Sequence, residues 1–446
     1  MRHSVVLELN KCRGCTTCIK NCPTEAIRVR SGKATVLPNR CIDCGSCIRV
    51  CPHKAVKSVC DGFELLQNYK YTIAIPDPAL YGQFQNLDDI DIVLNGLLKI
   101  GFDDVYESAA ASELLADFAQ QRIRQNVERP LPEISPACPA VVRLISIRFP
   151  KLINHIAPVV TPSEFAAVIA RRKAVEKTGL APEEIGVFSI VPCSSLVTSA
   201  HSPVGLPEPV LDGAFAIRDV YLALLDPMRK LEPGEIKPLS AAGIRGVSWA
   251  YAGGESTSRV WESYVAVDGI NNVIRMLEDI EDGRLPEADF VELRACTQGC
   301  VGGCLNVENP FGAKMRLKKL MQELPVSRTR YVPGDDEHSD ILSLAQTPEY
   351  LPSLQLDTNR LKAMEKMMQI QELEHQLPGL RCGSCGAPSC RALAEDIIMG
   401  RATEDDCIFK VREKMQHMAG NTDADEYLPA PFRRKAPIKG AIPSNR

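Results

Sequence analysis

The sequence predicts a multidomain α/β protein, and three observations carry that reading. From about Tyr71 the short apolar runs TIAI, IGVFSIV and ADFVEL read as buried strands, with IDIVLNGLLKIG and GINNVIRMLEDIEDG reading as helices between them. Apolar strands alternating with helices are the texture of a parallel sheet. Before that region, residues 1–60 carry an internal repeat, KCRGCTTCIKNCPTEAI, echoed about thirty residues later by RCIDCGSCIRVCPHKAV. After it, the Met-rich amphipathic stretch RLKAMEKMMQIQELEHQL leads to a last cysteine group at LRCGSCGAPSC. The expected division is 1–60, 70–325, 355–415 and a flexible basic tail over 420–446, where PAPFRRKAPIKGAIPSNR has too little apolar content to fold.

Bulk properties narrow the function classes. Fifty-two basic against 56 acidic residues leave a net charge of −4 in 446 residues, which argues against nucleic acid or an anionic membrane as the main partner. No window offers the roughly 20 uninterrupted apolar residues of a membrane span, and MRHSVVLELNKC is no signal peptide, so the expected location is cytoplasmic. In a reducing compartment 18 cysteines point to metal or redox chemistry rather than disulfides. Sixteen of the 18 fall into groups with ligand-like spacing, leaving Cys60 and Cys304.

Each half of the N-terminal repeat reads C-x2-C-x2-C-x3-C-P: Cys12, Cys15, Cys18 and Cys22 before Pro23, then Cys41, Cys44, Cys47 and Cys51 before Pro52. Three thiolates at this spacing can wrap one face of a cubane, while the fourth reaches the neighbouring cluster. Cys51 is then expected to join Cys12, Cys15 and Cys18, and Cys22 to join Cys41, Cys44 and Cys47. Zinc is the competing occupant of C-x2-C pairs, but it needs no third and fourth cysteine with proline. The segment resembles the bacterial two-cluster ferredoxin family over its whole length, which implies an α+β module with two [4Fe–4S] clusters of low potential.

Three central segments place cysteine beside small residues at the ends of predicted strands: SPACPAVV at Cys138, IVPCSSL at Cys193, and ELRACTQGCVGGC with Cys296, Cys300 and Cys304. Singly, each could be a cysteine that fills core space. Together, with KIGFDDVYES, FPKLINHIAPVVTPSEFAAVIA and GINNVIRMLEDIEDGRLPEADFVEL, they resemble the iron-only hydrogenase large subunit over roughly residues 70–320. The resemblance implies a two-lobed α/β domain in which Cys138, Cys193, Cys296 and Cys300 hold a cubane, Cys300 being where the family's thiolate bridges to a two-iron subsite. The departures concern that subsite. The family's proton-relay cysteine is Ala137, its cyanide-binding lysine is Leu196, its methionine before the third segment is Arg294, and its glycine run is broken by Cys304 and Leu305. Losing a positioned proton-transfer group typically costs 10²–10⁴-fold. No catalytic residue is therefore assigned, and Ala137, Leu196, Arg294 and Cys304 are read as degenerate positions. Cys304 is either a new ligand or a small residue packed in a loop.

Near the C-terminus Cys382, Cys385, Cys390 and Cys407 are spaced C-x2-C-x4-C-x16-C, with Gly383 and Gly386 permitting tight turns and SCRALAEDIIMG reading as a helix. A zinc ribbon would want its second pair close together. The segment resembles the small helical [4Fe–4S] domain of the Rnf electron-transport B subunit and of the corrinoid protein of the acetyl-CoA pathway. Seven histidines show no ligand-like pair, AYAGGE near Gly253 is too weak for a nucleotide site, and Cys60 reads as a buried thiol.

The expectation is an iron–sulfur electron-transfer or redox-sensing subunit of an anaerobic oxidoreductase system. It would hold four [4Fe–4S] clusters, with iron bound through these cysteines. Its partners would be redox proteins such as ferredoxin or flavin- and NADH-linked subunits, in a multi-subunit complex. Two alternatives stand beside it, a slow divergent hydrogenase and an iron–sulfur assembly scaffold.

Overall fold

The computed structural model describes residues 3–124, 130–258, 263–285, 287–331, 341, 345–353 and 355–418; the expected tail over 420–446 lies outside the described residues. The chain divides into two units, Met1–Ile27 with Ser31–Leu354, and Arg28–Arg30 with Gln355–Arg446.

The duplicated segment gives β1 (Val5–Leu7), α1 (Thr17–Lys20), β2 (Ile27–Arg30, the last three residues of which belong to the second unit), β3 (Lys33–Val36), α2 (Ser46–Val50) and β4 (Val56–Ser58), with β1 antiparallel to β4. The two halves fold alike because α1 and α2 each start behind a left-handed residue, Thr16 (φ 62°) and Gly45 (φ 71°), which turns the cysteine loop into the helix.

There follow β5 (Tyr71–Pro76), α3 (Ile90–Lys99), β6 (Asp104–Val105), α4 (Ser108–Arg124), β7 (Glu133–Ile134), α5 (Pro139–Arg148), α6 (Pro162–Thr178), β8 (Ile185–Val191) and α7 (Ser194–His201). The remaining elements are β9 (Gly213–Ala216), α8 (Ile217–Arg229), α9 (Ile244–Val247), α10 (Gly254–Ser258), β10 (Tyr264–Asp268), α11 (Ile270–Glu281), β11 (Phe290–Arg294) and α12 (Pro310–Leu320). They build two parallel sheets, β6-β5-β8-β9 and β10-β11-β7. Every residue of β8 is buried, as its unbroken apolar run requires.

Strand alternation divides the core around the larger sheet. Ile73, Ile75, Val187 and Val191 pack with residues of α4, α6 and α7, while Ala74, Phe188 and Ile190 pack with residues of α3, α8 and α12. The smaller sheet is covered by α5 and α11 through Val141, Leu144, Val273 and Leu277 against Val291 and Leu293. The expected strands and helices are all present, and the fold is α/β with two parallel lobes.

In the second unit helix Arg360–Gln376 packs against helix Cys390–Ile398, and helix Ile408–Met418 follows. Among the described residues no helix is long and apolar enough to cross a membrane.

Candidate iron–sulfur centres

The central site lies where strand ends meet. Cys138 follows β7 and starts α5, Cys193 follows β8 and starts α7, and Cys296 follows β11. Cys300 sits in the tight turn Gly299–Gly302. The carboxyl ends of parallel strands are where open α/β sheets bind ligands, and a thiolate at the first turn of α5 or α7 gains from the positive helix end. The four sulfurs share one buried environment. Burial first, then the neighbouring Cys296, Cys304, Cys300 and Cys138, hold the Cys193 thiol well above its ordinary range. Burial and Asp77 do the same to Cys300.

Crowded thiols of this kind stay protonated by themselves and give up protons to a metal, so the donor set fits an iron cluster. Glycines permit the close approach. A Cβ on Gly302 would stand 2.0 Å from the Thr297 carbonyl oxygen, and one on Gly303 2.1 Å from that of Pro192.

Three of the positions read as departures, Ala137, Leu196 and Arg294, fall into two groups. Ala137 and Leu196 are buried in the same apolar cluster and offer no polar atom beyond the backbone. Arg294, 3% exposed, donates from Nη2 to Glu255 Oε2 at 3.0 Å and from Nε to Glu292 Oε1 at 3.1 Å. Glu255 also accepts from Ser135 Oγ at 2.6 Å, and Glu292 accepts from the amides of Gly253 and Ser256 and from Ser256 Oγ. Burial disfavours the guanidinium charge, but Glu292 and Glu255 outweigh it and hold Arg294 firmly protonated. Arg294 is thus the centre of a buried ionic network with Glu255 and Glu292.

One cavity of the N-terminal part is lined by Cys22, Cys41, Cys44 and Cys47, the set expected from the repeat. Burial and then Ser46 act on Cys44, with a net rise to about 12, and burial lifts Cys41 and Cys47 as well. Cys12, Cys15 and Cys18 are near neighbours, and burial followed by Cys15 and Cys12 pushes Cys18 up to about 11. Cys51 closes α2, which packs on α1. Backbone amides point at sulfur throughout: Ala26 N to Cys22 Sγ at 3.2 Å, Ala34 N to Cys12 Sγ at 3.4 Å and Ala55 N to Cys51 Sγ at 3.2 Å. Such N–H donors stabilise thiolate charge, as iron–sulfur ligation requires.

In the second unit Cys382, Cys385, Cys390 and Cys407 line one cavity with Leu393 and Phe409, and Leu380 N donates to Cys390 Sγ at 3.3 Å.

Several site residues carry no signal in the motifs. Asp77, just past β5, is buried beside Cys300, and desolvation lifts its carboxyl to about 6. Arg49 donates to Cys296 Sγ at 3.4 Å. His3 Nδ1 lies 2.7 Å from Asp43 Oδ2 and close to Cys41, a grouping between residues forty positions apart that no local spacing could reveal. Cys304 faces Ser194 Oγ at 3.6 Å, and Cys60 packs against the apolar cluster that also holds Cys304.

Known proteins share these parts. The family "Iron only hydrogenase large subunit, C-terminal domain" matches residues 70–198 and 227–304, "4Fe-4S dicluster domain" matches 4–52, and an Fe-S cluster family matches 377–409. The periplasmic [Fe] hydrogenase large subunit of Nitratidesulfovibrio vulgaris is 25% identical over 364 residues, covering 68% of this chain and 86% of that protein. Iron hydrogenase 1 of Clostridium pasteurianum is 23% identical over 293 residues, covering 55% of this chain and 50% of that protein. A cytosolic Fe-S cluster assembly factor of Drosophila mojavensis is 22% identical over 342 residues, covering 62% of this chain and 71% of that protein. Among solved structures, an apo [FeFe]-hydrogenase variant from Chlamydomonas reinhardtii superposes with a TM-score of 0.48 at 15% identity, over 65% of this chain and 99% of that one. The chain is hydrogenase-like, with a central stretch that matches the iron-only hydrogenase large-subunit model and stretches before and after it in sequence that match iron–sulfur cluster models.

Proposed function

We propose that this protein is an electron-transfer or redox-sensing subunit of an anaerobic oxidoreductase system, carrying four [4Fe–4S] clusters and no working two-iron subsite. When bound, the clusters supply one-electron storage and relay. Cys12, Cys15, Cys18 and Cys51 would hold one, Cys22, Cys41, Cys44 and Cys47 the second, Cys138, Cys193, Cys296 and Cys300 the third, and Cys382, Cys385, Cys390 and Cys407 the fourth.

The observation that carries the reading is the Arg294–Glu255–Glu292 network together with the apolar Ala137 and Leu196. A hydrogenase needs a side chain that passes protons to its metal centre and donors that grip its diatomic ligands. Ala137 can pass none, Leu196 can grip none, and Arg294 is committed to two buried carboxylates. What remains is a buried set of cubane ligands, which suits storing or passing an electron.

The similarity to a cytosolic Fe-S cluster assembly factor favours a second reading, a scaffold that hands clusters on. Infrared spectroscopy of anaerobically matured protein separates these readings from slow hydrogenase activity. No carbon monoxide or cyanide bands are expected, and their appearance would refute the loss of the two-iron subsite. Rapid transfer of clusters to apo-ferredoxin would refute stable electron carriage and favour the scaffold.

A further inference from the structure

Arg49 makes contacts that neither the cysteine motifs nor the ionic network accounts for. It lies on α2 between the candidate ligands Cys47 and Cys51, yet its guanidinium turns toward the central site. Nη1 donates to Cys296 Sγ at 3.4 Å and to the Gly302 carbonyl at 3.2 Å, while Nη2 donates to the Cys44 carbonyl at 3.5 Å. One side chain therefore joins the backbone of one ligand set to a sulfur of another.

The loop that carries it is held in place. Gly45 has φ +71°, and a Cβ there would stand 2.4 Å from Cys304 Sγ. Ser194 Oγ donates to the Asp43 carbonyl at 2.6 Å, so the turn before α2 is bonded to the first residue of α7, next to Cys193. A surface arginine normally samples many rotamers, and its planar fork is retained only where acceptors match it. Here the acceptors are two carbonyls and a buried cysteine sulfur.

We infer that Arg49 is a positioning residue that sets the reduction potential of the cluster held by Cys138, Cys193, Cys296 and Cys300, drawing electrons toward the centre of the protein. Reduction adds one negative charge to that group, and a hydrogen-bonded guanidinium at Cys296 Sγ stabilises the added charge. Charge near a cluster and hydrogen bonds to its sulfurs are the levers that move its potential. This rests on the proposed cubane at those four cysteines.

The test is an EPR-monitored redox titration of the reconstituted full chain. Cys296→Ala identifies the central signal as the one it abolishes. Arg49→Gln is expected to shift that midpoint to more negative potential and leave the signal of the Cys12, Cys15, Cys18 and Cys51 set in place. Arg49→Lys, which keeps the charge without the fork, is expected to shift it less. A fully loaded Arg49→Gln protein with an unmoved central midpoint overturns the inference, as does an equal shift of every cluster. Should Arg49→Gln lose iron, the Arg49→Lys protein decides: an unmoved midpoint there overturns the inference. If Cys296→Ala abolishes no signal and removes no iron, the underlying cubane assignment fails instead, and the inference with it.

Discussion

Replacing Arg294 by methionine, the residue of the hydrogenase family at that position, tests whether the buried ionic network holds the central lobe together. The substitution removes the bonds at 3.0 and 3.1 Å to Glu255 and Glu292, whose side chains are wholly buried. Glu292 keeps three donors from Gly253 and Ser256, and Glu255 keeps Ser135 Oγ. Both carboxylates lose the guanidinium that lies between them. Breaking one member of a buried pair typically costs about 3–5 kcal/mol, because the stranded charge is not resolvated.

We expect Arg294→Met to lose about that much, read as a lower denaturant midpoint of the cluster-loaded protein under anaerobic conditions. Adding Glu255→Gln and Glu292→Gln to Arg294→Met removes the stranded charges and is expected to recover most of the loss. A single substitution costing under about 1 kcal/mol, or a triple variant no better than the single one, would show that the network is solvated and peripheral.

Further outcomes follow from other parts of the structure. Iron analysis of the matured chain should give about sixteen irons, and Cys193→Ser and Cys407→Ser should each lower the count by about four while Cys60→Ser leaves it unchanged. Substantial zinc in place of iron would overturn the C-terminal assignment. Gly45→Ala forces a Cβ into Cys304 Sγ at a left-handed backbone position, so it is expected to lower iron loading of the set holding Cys44 and Cys47, measured by iron content against wild type. Asp77 titrates near 6 in the folded chain against an ordinary 3.8, because its burial disfavours the charged form. The folded state keeps a proton that the unfolded state has released, so stability falls as pH rises from about 4 to 6 and the penalty persists above that. Asp77→Asn should be stabilised relative to wild type more at pH 8 than at pH 5 in paired thermal melts, and an equal effect at both pH values would refute the assignment.

Local patterns were readable in the sequence; encounters between distant residues were not. IGVFSIV spells β8 because a strand buried on both faces can only be apolar, and IDIVLNGLLKIG spells α3 through Ile90, Val93, Leu94 and Leu97 on one buried face. Cysteines spaced like ligand groups in the sequence also line cavities in the structure, Cys41, Cys44 and Cys47 with Cys22 from the other half of the repeat, and Cys382, Cys385, Cys390 and Cys407 in the second unit. Arg294 was recognisable as a departure from a pattern, but its partner Glu255 comes from α10, thirty-nine residues away, and nothing in AYAGGE says that its glutamate meets an arginine. Arg49 shows the same limit more sharply, because the sulfur it contacts lies 247 residues further along the chain.

Ser4, one residue before β1, donates from Oγ to the Ser194 carbonyl at 2.7 Å and accepts from Thr198 Oγ1 at 3.0 Å. Sequence motifs invite excision of the first sixty residues as a portable ferredoxin for recombinant study. That cut would sever the grip of Ser4 on α7 immediately beyond Cys193, and would take away Asp43 and Gly45 from the same helix and loop. The excised piece and the remaining core would each expose a seam that is internal in the whole protein. Two parts joined this way in one unit are expected to mature and evolve as one piece, so domain shuffling here would have to carry both sides of the seam together.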